Sequence, residues 1–168
     1  MSEDLNQSFK GKIAVVTGST QGLGEAVARL FADRDLSGLV ICGRNQSKGK
    51  EVADSIHQSG CPTYSVQADL AQVEDCRNII QKADEEFGRI DCLVNCAAIT
   101  DRGTVLDTSP ELFDQMFAVN TRAPFFLIQE ALKIMIREKI KGSIVNVQSM
   151  SAHGAVSYTH LTLPTICS

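Results

Sequence analysis

The sequence predicts a doubly wound parallel α/β sheet, and three observations lead there. Short apolar runs alternate with amphipathic helical stretches along the chain, as βαβ units require. The runs are rich in Val and Ile and nearly continuous in hydrophobicity, the mark of strands covered on both faces. A glycine-rich turn joins the first run directly to the first helical stretch. The expected strands are Ile13–Thr17, Gly38–Cys42, Thr63–Gln67, Ile90–Asn95 and Ser143–Gln148. Between them, helices are expected over Gly24–Arg34, Ser47–Ser59, Val73–Phe87 and Glu111–Lys139. In the third helix, Val73, Cys76, Ile79, Ile80, Ala83 and Phe87 recur near a helical period. Asp69 and Ser109-Pro110 read as helix starts, and Gly60 and Gly88 as helix stops.

Composition narrows the function classes. At 168 residues with 43% hydrophobic and 21% charged content, the chain suits one soluble domain with a real core. A net charge of −4 argues against a nucleic-acid or anionic-membrane partner. No apolar run approaches the roughly 18 residues that span a bilayer, and the polar start MSEDLNQSFKGK does not read as a signal peptide. The six cysteines form no C-x-x-C pair, and Cys92 and Cys96 have no histidine nearby, so no metal site is expected. Reduced, structural thiols in a cytoplasmic protein are the expectation.

The stretch Lys12–Gly24, KIAVVTGSTQGLG, carries the chemistry. Strand, glycine turn and helix in that order present backbone N–H groups to a phosphate. The expected cofactor-binding residues here are Thr17, Gly18, Ser19, Gln21, Gly22, Leu23 and Gly24. At the end of the second strand, dinucleotide folds use an acid for the ribose hydroxyls or an arginine for a 2′-phosphate. This chain has Gly43 in the acid's place and then Arg44. A guanidinium holds a phosphate bidentately where a carboxylate would repel it, so NADP(H) is expected over NAD(H). Lys48 stands too far along the next helix to add much to that site.

Five ordered elements make the chain resemble a short-chain dehydrogenase/reductase with a Rossmann fold. They are TGSTQGLG at 17–24, Asp69-Leu70, Asn95-Cys96-Ala97-Ala98, Asn120 within FAVNTRAPF, and Ser149 within SIVNVQSMSAHG, between Gly11 and about Gly154. The resemblance implies an enzyme that interconverts an alcohol and a carbonyl compound. It implies that Asp69 and Leu70 flank the adenine, that Ala97 lies near the ribose, and that Asn95 stabilises the central strand and the cofactor side of the site. It further implies that Asn120 holds a water in a proton relay and that Ser149 polarises the substrate carbonyl, with Ser151 as the rival. The family usually reads Asn-Asn-Ala-Gly at 95–98, so the backbone approach at Ala98 departs from its pattern. Partners would be a small-molecule substrate and, for the full-length protein, further copies of itself.

The pattern breaks near the end. The family's Y-x-x-x-K pair belongs at 162 and 166, where this chain has Thr162 and Ile166, and Tyr158 has no lysine four residues on. Val156–Thr165 resembles one translated frame of a transposon-end sequencing adapter, which would make His160 meaningless. The expected organisation is therefore an extension over 1–10, a truncated dinucleotide-binding domain over 11–155 and a non-native tail over 156–168. A natural truncation is the competing reading, and the sheet is expected to be incomplete at its C-terminal edge. As written, a chain that binds a dinucleotide without catalysis is the alternative to the working oxidoreductase.

Overall fold

The computed structural model describes residues 8–101, 103–104 and 106–149. Its elements run β1 (Ile13–Thr17), α1 (Gly22–Ala32), β2 (Gly38–Gly43), α2 (Gln46–Gln58), β3 (Thr63–Gln67), α3 (Val73–Phe87), β4 (Cys92–Asn95), α4 (Pro110–Phe117), a π turn (Ala118–Arg122), α5 (Ala123–Arg137) and β5 (Ser143–Asn146). The five strands form one sheet in the order β3-β2-β1-β4-β5. Every neighbouring pair is parallel, with Val15 level with Val40 on one side and Leu93 on the other. The order reverses between β1 and β4, which is where such sheets open a crevice at the carboxyl ends of their strands.

Alternation along the strands divides the core in two. Val15, Val40, Cys42 and Leu93 face α3 and α5 through Ile79, Ile80, Ala83, Leu127 and Ala131. Ala14, Val16, Leu39, Ile41 and Val94 face α1 and α2 through Ala28, Val52, Ala53 and Ile56. Both faces are therefore buried, which is why β1 and β2 read as unbroken apolar runs. β5 is the exception: it pairs only with β4 among the described residues and is largely exposed, Val145 included, as is Val147 just beyond it.

Several boundaries differ from expectation. β5 ends at Asn146 because its partner β4 leaves the sheet at Asn95, whose carbonyl accepts a last bond from the Val147 N–H. The single helix expected over Glu111–Lys139 is instead two helices separated by the π turn. Ser109 does cap α4, its hydroxyl accepting from the Leu112 N–H at 3.2 Å. Pro124, however, has no N–H to give the Asn120 carbonyl four residues earlier, and the ladder widens there, with Ala123 N–H donating to the Ala118 carbonyl. Asp69 does not cap α3, whose N-cap is Gln72; it builds the preceding turn, its carboxylate accepting from the Ala71 N–H and its carbonyl from the Gln72 N–H. Gly88 closes α3 at φ +67, a left-handed position that glycine takes without strain.

At the amino ends of the strands one carboxylate ties three elements together. Asp91, its side chain 5% exposed, accepts from the Ile13 N–H (3.0 Å), from Lys12 Nζ (3.2 Å) and bidentately from Arg89 (2.7 and 2.9 Å). Its carbonyl accepts from the Ser143 N–H, fixing the start of β5. Burial pushes the Asp91 carboxyl up, but the bonds from Arg89, the Ile13 N–H and Lys12 outweigh it and hold it below the usual carboxylate range. A depressed native value means stability that is present above the unfolded carboxylate range, near about 4, and lost as pH falls through the native value.

Asp91→Asn is expected to lower the unfolding free energy at neutral pH by roughly 1.5–3 kcal/mol and to flatten the acid-side loss of stability, both read from urea melts across pH. Gly24→Ala is expected to cost about 1–3 kcal/mol in the same melts, because its Cβ would collide with the Gly18 carbonyl and reach 3.0 Å from Ser19 Cα.

Candidate functional site

A cleft of about 330 Å³ opens at the carboxyl ends of the strands, at the point where the strand order reverses. Its floor and walls come from the exits of four strands, with α4 and the π turn. The β1–α1 loop contributes Gly18 and the run from Thr20 to Gly24, the β2 end Cys42, Gly43 and Arg44, and the β3 end Ala68, Asp69 and Leu70. The β4 exit adds Cys96 through Ile99, with Gln115 and Val119 beneath.

The first loop is shaped by close packing. A Cβ on Gly18 would lie 2.7 Å from Ala97 Cα, so the exits of β1 and β4 touch backbone to backbone. Gly22 takes φ +58, and nothing stands within 4 Å of where its Cβ would be, which leaves its backbone bare. Gln21 precedes α1 in an extended conformation and makes no side-chain cap bond. The first amides of α1 are therefore open at the cleft, with the positive end of the helix dipole behind them. This is the arrangement that holds a diphosphate, so the residues present fit a dinucleotide.

Thr17 and Ser19 have different duties from the rest of the loop. Both are buried and neither lines the cleft. The Thr17 hydroxyl oxygen accepts from the Cys96 and Ala97 N–H groups, each at 3.2 Å. The Ser19 hydroxyl donates to the Val16 carbonyl at 2.6 Å and accepts from the Cys42 N–H at 3.1 Å, so it joins β1 to β2. Asn95 is buried too, donating from its amide to Asn146 Oδ1 across β4 and β5 at 2.8 Å. Its Oδ1 is buried with no partner among the described residues.

Arg44 lines the cleft, and its guanidinium has no hydrogen bond or ion pair among the described residues. Gly43 packs against Thr20: a Cβ there would stand 2.6 Å from both the hydroxyl oxygen and the methyl of Thr20. Lys48 corrects the sequence reading. It lies in the first turn of α2, capped by Asn45, and its Nζ donates to Gln21 Oε1 at 3.2 Å. One helical turn brings it back to the glycine loop, closer than its separation in sequence suggests.

Asn120 sits in the π turn, and both ends of its amide are bonded to one residue. Oδ1 accepts from the Ile99 N–H at 2.9 Å and Nδ2 donates to the Ile99 carbonyl at 2.8 Å. The side chain thus latches the β4 exit, and it is the carbonyl of Asn120 that lacks its α-helical donor. Ser149 follows β5, is exposed and does not line the cleft. Ser151, Tyr158, His160, Thr162 and Ile166 lie outside the described residues. Thr20, Gln115 and Val119 are cleft residues that the sequence analysis missed. Gln115 and Val119 lie one helical turn apart and lead into Asn120, which is the signal that could have found them.

Cys42 and Cys96 line the cleft, and Cys76 is buried behind it. Burial pushes Cys42 up to about 12 and Cys76 up to about 11, keeping both protonated. The five described cysteines are free, and among the described residues no cluster of His, Cys, Asp and Glu could hold a metal ion. Nor is any described helix long and apolar enough to cross a membrane.

Comparison with known proteins agrees with this geometry. The family model for short chain dehydrogenases matches residues 12–161, running past Gly154 into the segment that the sequence analysis set apart. An uncharacterised oxidoreductase of Thermotoga maritima is 37% identical over 142 residues, 84% of this chain and 55% of that protein. L-rhamnose 1-dehydrogenase (NADP(+)) of Thermoplasma acidophilum is 33% identical over 155 residues, covering 92% of this chain and 61% of the relative. Among solved structures, L-sorbose reductase of Gluconobacter frateurii, complexed with NADPH and L-sorbose, superposes with a TM-score of 0.82 at 27% identity, over 88% of this chain and 56% of the other. The chain spans between half and two thirds of the length of these proteins. With the family model matched over most of its length and its strands wound in the expected order, the chain belongs to the short-chain dehydrogenase family.

Proposed function

We propose that the protein is an NADP(H)-dependent oxidoreductase that interconverts an alcohol and a carbonyl compound on a small molecule. One observation carries the cofactor half of this reading: Arg44 lines the cleft with its guanidinium unpaired among the described residues, and Gly43 stands where an acid would repel a 2′-phosphate. The L-rhamnose dehydrogenase uses NADP(+) and the L-sorbose reductase binds NADPH, which supports the same choice.

In this reading the open amides of α1, from Gly22 to Gly24, take the diphosphate, and Arg44 takes the 2′-phosphate. Asp69 and Leu70 bound the adenosine, and Ala97 bounds the nicotinamide ribose. When bound, the nicotinamide gives or takes the hydride. The Ser149 hydroxyl donates to the substrate oxygen as its charge changes, and the Asn120 carbonyl holds a water that passes a proton. The N–H of Ile99 is occupied by the Asn120 side chain, which keeps that stretch of backbone from competing for the water.

A second reading is a chain that binds the dinucleotide without turning it over, and Thr162 and Ile166 favour it for the polypeptide as written. The two part on a simple pair of measurements, NADPH binding by fluorescence and NADPH consumption with a carbonyl panel. Binding together with consumption supports the oxidoreductase, and binding alone supports the second reading. We further infer a cytoplasmic location, supported by the free thiols, and a homo-oligomeric full-length protein. The exposed Phe113, Phe117, Phe125 and Ile136 on α4 and α5 support self-association.

Arg44→Ala is expected to raise the dissociation constant for NADPH by about tenfold or more while leaving that for NADH within about twofold, as read by titration calorimetry at fixed salt. An equal change for the two cofactors would count against the cofactor assignment.

A further inference from the structure

The two walls of the cleft are fastened from a single π turn. On one side Asn120 latches Ile99, at the β4 exit. Two residues on, Arg122 Nη2 donates to the Ala71 carbonyl at 2.7 Å, in the loop that follows β3. Val119, buried in the same turn, lines the cleft between them.

The loop that Arg122 reaches carries Asp69 and Leu70. It is tied internally, the Asp75 carboxylate accepting from the Asp69 N–H at 2.8 Å and the Asp69 carboxylate from the Ala71 N–H at 3.0 Å. These bonds fix the shape of the loop, but they come from the loop and from α3 alone. Arg122 supplies a tie from across the cleft, 51 residues away in sequence. A charged donor on a neutral carbonyl is among the stronger single hydrogen bonds, although solvent weakens an exposed one. Ala68 and Leu70 are anchored in the core and the Ala68 N–H donates to the Gly43 carbonyl, so loss of this tie would relax the outer part of the loop, at Asp69 and Ala71, without unfolding anything.

We propose that Arg122 is a positioning residue for the adenosine half of the cofactor, holding the Asp69-Leu70 wall at its working distance from the glycine loop. This rests on the NADP(H) reading. Arg122 touches no part of the diphosphate cradle, so its effect falls on the adenosine end, whereas that of Asn120 falls on the opposite wall.

The test uses 2′,5′-ADP, which carries the adenosine, its 2′-phosphate and the first phosphate of the diphosphate but no nicotinamide half, beside NADPH. Arg122→Ala is expected to weaken both ligands by the same factor, about fivefold, with the melting temperature within a few degrees of the parent. Arg122→Lys, which keeps a cationic donor, is expected to recover most of the loss. Asn120→Ala is expected to weaken NADPH while leaving 2′,5′-ADP within about twofold. An unchanged 2′,5′-ADP constant in Arg122→Ala overturns the proposal, as does a loss that lysine does not recover or an equal loss in the Asn120 variant. Should the alanine variant fail to fold, Arg122→Gln takes its place with the same expected loss. A parent chain that binds NADPH and NADH alike, and 2′,5′-ADP no better than 5′-AMP, overturns the NADP(H) reading and this assignment with it.

Discussion

The exits of the two central strands are held together by one hydroxyl, and the site is built outward from that point. Where β4 leaves the sheet, the N–H groups of Cys96 and Ala97 lose their ladder partners, and the Thr17 oxygen accepts from both. Partly buried donors left unpaired would cost the structure stability, so this single side chain helps to fix the path of the β4 exit. With that path set, Gly18 must pack on Ala97, α1 must start under the Gly18 carbonyl, and the first amides of α1 must face the cleft. A valine at position 17 would fill the same volume and leave both N–H groups without a partner.

The other end of the sheet uses charge for the same purpose. Asp91 gathers the starts of β1, β4 and β5, and its two cationic partners keep it ionised although it is buried. The sheet is thus pinned at the centre of each end, by a neutral acceptor beside the cleft and by an anion at the opposite end. That division suits the chemistry: a fixed carboxylate among the α1 amides would oppose the phosphates they attract.

Much of the fold was legible in the sequence because it rests on local signals. Continuous Val and Ile runs gave the strands to within two residues, and the periodic apolar positions of α3 gave its two ends. The break at Ala118–Arg122 was not read, although Pro124 announced it, because the apolar period continues across the π turn and masks the missing donor. Side-chain duties were less legible still. Thr17 and Ser19 belong to a binding motif by spacing, yet both turn inward to join strands whose alignment only the sheet register sets. Lys48 is likewise distant from Gln21 in sequence and within hydrogen-bond reach of it once β2 lies beside β1.

The contact between Gly43 and Thr20 has an evolutionary consequence. A side chain of any kind at 43 would overlap the hydroxyl and methyl of Thr20 as they stand, and Thr20 is itself buried. The two positions are therefore epistatic. A mutational path toward an acidic residue at 43 is expected to be easier once a smaller residue stands at 20, since the reverse order meets the overlap first. Such a valley keeps a lineage on one side of a cofactor choice long after selection for that choice has relaxed.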